Sequence, residues 1–232
     1  MLNLKIVKAV TLDLDDTLWP VWPAIERAER LLGDWLAVHA PGAASLFADT
    51  PTRLALREAV VRSNPDLSHH LSAIRLESIR LALRQAGEDP ALAEAGFQVF
   101  FDARNQVTLY DDALLALEFL AARYPLVALS NGNADIARIG LGRYFSASIS
   151  AQTFGVAKPD PRIFHAAAEA VGAAPEHTLH IGDDPALDVA GALTAGMQAV
   201  WLSRDDKPWM HTGTPHHTTR CLTSLCDVIR LQ

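Results

Sequence analysis

The sequence predicts an α/β protein, a doubly wound parallel sheet interrupted near its start by a block of helices. Three observations predict it. Short apolar runs of strand length each end in a polar turn, and amphipathic stretches of helical spacing separate them. After the first run, from about Val21 to about Arg104, helical spacing continues with no strand-like run.

The first strand is expected over Val7 to Leu14, which alternates and then turns apolar up to Asp13. The second, Leu126 to Leu129, runs into Ser130-Asn131-Gly132-Asn133, and the third, Thr178 to Ile181, into Gly182-Asp183-Asp184. A fourth, Gln198 to Leu202, follows the helix-like Pro185 to Ala195 and Gly196, which suits a helix cap. Amphipathic helices are expected at Asp111 to Arg123 and Pro161 to Val171. Strands apolar on both faces belong to sheets covered on both sides, and ligands then sit beyond the carboxyl ends of the strands. The polar turns fall there. The core is therefore expected to be Rossmann-like, built from residues 1–17 and 106–232, with residues 18–105 as an all-helical insert that resembles a lid.

Within the insert, Ile25, Ala28, Leu31, Leu32 and Trp35 repeat at helix intervals, as do Leu71, Ile74, Ile79 and Leu83. Pro41-Gly42, Asn64-Pro65 and Gly87-Glu88-Asp89-Pro90 divide it into about four helices. The polar tail from Arg204 to Thr219 is expected to be loop, and Thr223 to Leu231 a closing helix.

Composition narrows the function. The formal net charge of -7 argues against a general nucleic-acid binder, since polyanion binding needs clustered Lys and Arg. No apolar run reaches the roughly 18 residues that span a bilayer, and the start lacks the pattern of a secretory signal. A cytoplasmic protein that binds neither nucleic acid nor membrane is expected, as monomer or homodimer. Cys221 and Cys226 match no zinc pair and are expected to be plain thiols.

The strongest chemical signal is Asp13-Leu14-Asp15-Asp16-Thr17-Leu18 directly after an apolar strand. Clustered carboxylates at a strand end repel one another, and a divalent, oxygen-seeking cation such as Mg²⁺ relieves this. An acidic turn that caps a strand is the plain alternative for this motif alone. Ser130-Asn131-Gly132 offers a hydroxyl and successive backbone N–H groups suited to phosphate oxygens, and Lys158-Pro159 offers a cation on a stiff turn. Gly182-Asp183-Asp184 again places acids after a strand, with Asp188 a helical turn farther on. Carboxylates from two strand ends make an oxygen-donor metal site without histidine or thiol.

This ordered set, Asp13 to Thr17, Ser130, Lys158 and Gly182-Asp183 through Asp188, resembles the haloacid-dehalogenase superfamily over nearly the whole chain. The resemblance implies that Asp13 is a nucleophile forming an aspartyl-phosphate and that Asp15 is the general acid and base. It implies that Mg²⁺ is held by the Asp13 carboxylate, the Asp15 backbone carbonyl and Asp183. Ser130 and Lys158 would neutralise the phosphoryl oxygens, with Thr17, Asn131 and Gly132 completing the substrate site. Asp184 and Asp188 are candidates to stand behind the ligands. The family's dehalogenases lack an acid two positions after the nucleophile, whereas its phosphatases carry one, as Asp15 does here. The helical insert resembles the family's C1 cap.

Leu129 to Ala134, Leu141 to Phe145, His180 to Asp184, Asp188-Val189 and Gly196 to Ala199 further resemble bacterial C1-capped phosphatases. Those enzymes act on flavin mononucleotide and on the ribitylamino-uracil phosphate of riboflavin biosynthesis. The expected substrate is thus a small phosphorylated metabolite. A sugar phosphate or phosphoglycolate is the alternative, and a silent binding module of the same fold the alternative from another class. Trp19 and Trp22 could stack on a flat ring or pack inside the cap. Gly140-Leu141-Gly142 lacks the third glycine of a dinucleotide loop, and no GxSxG elbow is present. His69-His70 and His216-His217 are expected to be solvated, and His177 and His180 lack a third ligand. Arg75 and Arg80 are expected on an exposed helical face, with contact to a substrate anion as the alternative.

Overall fold

The computed structural model describes residues 1–205 and 208–231; Asp206 and Lys207 of the expected tail loop, and Gln232, lie outside the described residues. The chain forms two compact units, Met1–Pro20 with Thr108–Gln232, and Val21–Val107.

The first unit is a Rossmann-like α/β core. Among the described residues its sheet has six strands, all parallel, in the order β3-β2-β1-β4-β5-β6. They are β1 (Ala9–Leu12), β2 (Leu126–Ser130), β3 (Ala147–Ser150), β4 (Thr178–Gly182), β5 (Gln198–Leu202) and β6 (His217–Thr219). The four expected strands are β1, β2, β4 and β5, and every residue in them is buried. That burial explains their unbroken apolar runs. The first is shorter than expected because a 3-10 turn at Leu4–Ile6 precedes it. Beyond its end the ladder still continues, with Asp13 N–H donating to Ile181 O at 3.0 Å.

Strand β1 pairs with β2 on one side and β4 on the other. The order therefore reverses at β1, the switch point where such sheets bind ligands. Edge strands β3 and β6 were not expected. β3 is partly exposed and carries no apolar run. β6 is three residues long and lies in the stretch expected to be loop; Val200 and His217 pair across it. His216 is not simply solvated either, since its Nδ1 accepts the Ala199 N–H at 3.1 Å.

The second unit holds α1 (Val21–His39), α2 (Pro41–Ala48), α3 (Thr50–Ser63), α4 (Leu71–Ala86) and α5 (Leu92–Arg104). Five helices stand among the described residues where about four were expected. The extra boundary is made by Asp49, whose side chain accepts the Thr52 N–H and caps α3, with proline in its first turn. Leu32, Leu36, Phe47, Ile79, Leu83 and Phe100 form this unit's core.

Two expectations fail here. Arg75 is not on an exposed face: its side chain is 19% exposed, bonds Glu29 at 2.6 Å and lies 4.4 Å over the Phe100 ring. Arg80 is likewise 18% exposed and paired with Glu77 and Glu94. Both cations are committed to partners within the unit. His70 is a helix cap, its Nδ1 accepting the Ala73 N–H.

After residue 107 come α6 (Ala113–Ala121), α7 (Ile136–Ile139), α8 (Ala151–Phe154), α9 (Pro161–Glu169), α10 (Gly191–Thr194) and α11 (Leu222–Arg230). The single helix expected over Pro185 to Ala195 is instead a π-turn, Pro185–Ala190, followed by α10. Such wide turns recur at functional sites. Gly196 ends this segment at φ +80°, the left-handed conformation expected of it. No described helix is long and apolar enough to cross a membrane.

Candidate active site

The polar turns at the ends of β1, β2 and β4 converge, all within the α/β unit. Asp13 follows β1 and is buried. Behind it the chain closes a tight loop: Leu18 N–H donates to Leu14 O at 2.8 Å and Asp16 N–H to Trp19 O at 2.7 Å. Asp16 takes the left-handed conformation, φ 59°, which Asp tolerates better than most residues. The Trp19 Nε1–H donates to Asp15 Oδ1 at 2.8 Å. Trp19 is wholly buried in the α/β unit. It therefore presents no open face to a substrate ring. Trp22, at the start of α1, is 68% exposed.

Thr17 was expected among the substrate-binding residues. It is buried, and its hydroxyl donates to Asp183 Oδ1 at 2.9 Å, so it would act on a ligand through that carboxylate. Asn131 clamps the Lys158 backbone from both sides, its Nδ2 donating to Lys158 O at 2.9 Å and its Oδ1 accepting the Lys158 N–H at 2.8 Å. Gly132 N–H donates to Ser130 Oγ at 2.9 Å at the end of β2.

Lys158 Nζ lies 2.5 Å from Asp13 Oδ1, 2.5 Å from Asp188 Oδ1 and 3.0 Å from Leu129 O. All three ammonium protons are thereby engaged. Burial opposes its charge, but Asp13 and Asp188 outweigh burial and raise the lysine above its ordinary value. Burial likewise works against an ionised Asp188, yet Lys158 and His180 hold that carboxyl below the usual range. His180 is kept neutral chiefly by burial. Its Nε2 faces Asp188 Oδ1 at 3.2 Å and its Nδ1 faces Thr11 Oγ1 at 2.8 Å. An ionised Asp188 accepts only, which assigns the imidazole proton to Nε2 and makes Thr11 the donor to Nδ1.

Asp188 thus stands at the centre of the charge cluster, in contact with Lys158. His180, set aside on sequence grounds, supports it from β4. No sequence signal marks this, because a histidine inside an apolar strand looks the same whichever way its nitrogens point. Gly182 permits the arrangement: a Cβ there would lie 2.3 Å from Asp188 Cγ. Gly182→Ala is expected to displace Asp188, costing about 1–3 kcal/mol from overpacking and lowering turnover with it. Urea unfolding and an activity assay on the purified variant check this.

One carboxyl oxygen from each of Asp13, Asp183 and Asp188 lies within 4.8 Å of the others. Burial raises Asp13 well above the ordinary carboxylate value against the pull of Lys158, and Asp188 and Asp183 add to the rise. Asp183 is pushed up to about 7 by burial and then by Asp188. One lysine does not balance three close carboxylates. An all-oxygen donor set with excess negative charge fits a hard divalent cation. Both oxygens of Asp188 are engaged within the site, Oδ1 by Lys158 and His180 and Oδ2 by the Asp184 N–H at 3.0 Å, so Asp13 and Asp183 fit the ligand role better. Asp184 caps the π-turn, its Oδ1 accepting from Ala186 and Leu187.

Arg204 carries no sequence signal at all. Both its terminal nitrogens bond Asp112 at 3.1 Å, Nη2 also donates to Thr17 O at 2.8 Å, and the guanidinium lies 3.8 Å over the Tyr110 ring. It ties the loop after β1 to the start of α6.

Comparison with known proteins agrees with this geometry. The family model described as haloacid dehalogenase-like hydrolase matches residues 7–196. The chain is 34% identical over 231 residues to the 5-amino-6-(5-phospho-D-ribitylamino)uracil phosphatase YigB of Escherichia coli, covering 96% of each chain. It is 33% identical to a phosphoserine phosphatase of Thermus thermophilus, over 87% of this chain and 91% of that one. A solved structure described as a 2-haloacid dehalogenase from Pseudomonas syringae pv. Tomato superposes with a TM-score of 0.92 at 36% identity, covering 97% of this chain and 99% of that one. A match over most of the chain, together with carboxylates gathered at the switch point of the sheet, shows that this protein belongs to the haloacid dehalogenase-like hydrolases.

Proposed function

We propose that the protein is a Mg²⁺-dependent phosphatase that hydrolyses a small phosphate monoester through an aspartyl-phosphate on Asp13. The observation that carries this reading is the meeting of Asp13, Lys158 and Asp183 at the end of β1, beside a second acid, Asp15, two residues on. In the first step the Asp13 carboxylate bonds to phosphorus while the ester P–O bond breaks. The departing oxygen takes its electron pair and a proton from Asp15. In the second step Asp15 takes a proton from water as the water oxygen bonds to phosphorus. The Asp13–phosphate bond then breaks, giving inorganic phosphate and the free carboxylate. Lys158 supplies fixed positive charge beside Asp13, while Ser130 and the Gly132 turn offer hydrogen bonds to phosphoryl oxygens. Asp13, Asp183 and the Asp15 carbonyl would hold the cation, which when bound supplies further charge neutralisation at the phosphoryl group.

The substrate class proposed is flavin mononucleotide or the ribitylamino-uracil phosphate. The sequence motifs support it, as does the similarity to the Escherichia coli enzyme over nearly the full length of both chains. The helical unit is proposed to act as the cap that selects the substrate. A dehalogenase reading is favoured by the description of the Pseudomonas syringae structure. Against it stands Asp15, the acid that the family's dehalogenases lack.

One experiment separates these readings. Purified protein is incubated with phosphorylated metabolites, including flavin mononucleotide, the uracil intermediate, phosphoserine, phosphoglycolate and sugar phosphates, and separately with 2-haloacids. Phosphate release with Mg²⁺, and none with a chelator, is expected, together with no halide release. Halide release without phosphate release would move the protein to the dehalogenases, and no product of either kind would make it a binding module.

A further inference from the structure

We propose that Trp19 is a positioning residue for the reaction, fixing which oxygen of Asp15 faces the leaving group. The inference rests on the reading of Asp15 as the proton donor. Trp19 is wholly buried, and its indole N–H, a donor with no acceptor capacity, bonds Asp15 Oδ1 at 2.8 Å. A buried indole N–H needs an acceptor, so the bond resists rotation of the carboxyl. A hydroxyl oxygen accepts a hydrogen bond less well than a carbonyl oxygen, so the indole donor favours the carbonyl at Oδ1. The acid form of Asp15 is thereby biased to carry its proton on Oδ2, the oxygen not bound to Trp19.

The backbone reinforces this. Residues 15 and 19 pair as a bridge, and Asp16 N–H donates to Trp19 O at 2.7 Å. The loop is thus closed once through main chain and once through side chains. Oδ2 gives its proton to the departing alcohol as the ester P–O bond breaks, and recovers one from the attacking water. Oδ1 stays on the indole through both steps, so the carboxyl need not reorient between acid and base.

The test is a double-mutant cycle with two substrates, p-nitrophenyl phosphate, whose leaving group needs no proton, and flavin mononucleotide, an alkyl phosphate that does. Trp19→Phe keeps an aromatic ring, smaller than the indole, and deletes the donor. It is expected to lower kcat on the alkyl phosphate about tenfold, with KM little changed and less than a twofold effect on the nitrophenyl ester. In an Asp15→Asn background it is expected to add no further loss. Equal losses on the two substrates, or a further loss in that background, would assign Trp19 to packing alone and overturn the proposal. If Asp15→Asn by itself affects both substrates equally, the acid reading fails first, a separate and visible outcome. Should Trp19→Phe not fold, site-specific benzothienylalanine, the same shape with sulfur in place of N–H, carries the same cycle.

Discussion

Asp13→Asn should reduce phosphate release by on the order of 10⁴-fold or more, the scale of losing a nucleophile that no neighbour can replace. The fold should survive. The Asn side-chain oxygen can still accept from Lys158 Nζ, which also keeps its bonds to Asp188 and Leu129 O. The substitution moreover removes one charge from a cluster in which Asp13, Asp183 and Asp188 crowd together. Phosphate release measured beside a thermal melt checks both halves. Turnover near the parent's level would refute the covalent mechanism, and an unfolded variant would refute the structural argument.

Lys158→Met should have the opposite balance, with stability and activity falling together. Lys158 is 4% exposed, and it bonds Asp13 and Asp188 at 2.5 Å each. Removing the cation leaves buried carboxylates uncompensated, a change that costs about 3–5 kcal/mol. That is a large share of the stability of an ordinary domain. Loss of the fixed charge beside the phosphoryl group is expected to lower kcat by roughly 10²–10³-fold. Urea unfolding in chelator reads the first effect. Adding Asp188→Asn to Lys158→Met should return part of the lost stability, because it removes one stranded charge. If the double variant is less stable than Lys158→Met alone, the electrostatic account of this cluster is wrong.

The sequence makes the interior of the sheet legible and hides its edges, for one physical reason. β1, β2, β4 and β5 are covered on both faces and must be apolar throughout, which marks them in the sequence. β3, Ala-Ser-Ile-Ser, and β6, His-Thr-Thr, gain most of their definition from hydrogen bonds to one neighbour, which any residue can make. The site divides in the same way. Asp13 and Asp183 announce themselves because charge after an apolar run is costly unless it serves a purpose, whereas Lys158, on a turn before a helix, stands out only within the ordered set of motifs. The bond from Trp19 to Asp15, the His180 support of Asp188 and the Arg204 tie to Thr17 depend on side-chain direction, which spacing along the chain does not encode. Arg75 misleads in the opposite sense, since its partner Glu29 lies on another helix, far away in sequence.

Strand β1 lies in the middle of the sheet although it is made first, and its two neighbours begin only at Leu126 and Thr178. During synthesis at the ribosome, the contiguous helical segment, complete by Val107, can settle while β1 still waits for either partner. Asp13 and Asp15 therefore emerge long before the lysine and the second strand end that complete the site. Late non-local pairing of this kind is slow, and it leaves an apolar strand open to wrong partners. Truncation before Thr178 removes not an ornament at the rim but one flank of the earliest-made strand of this sheet.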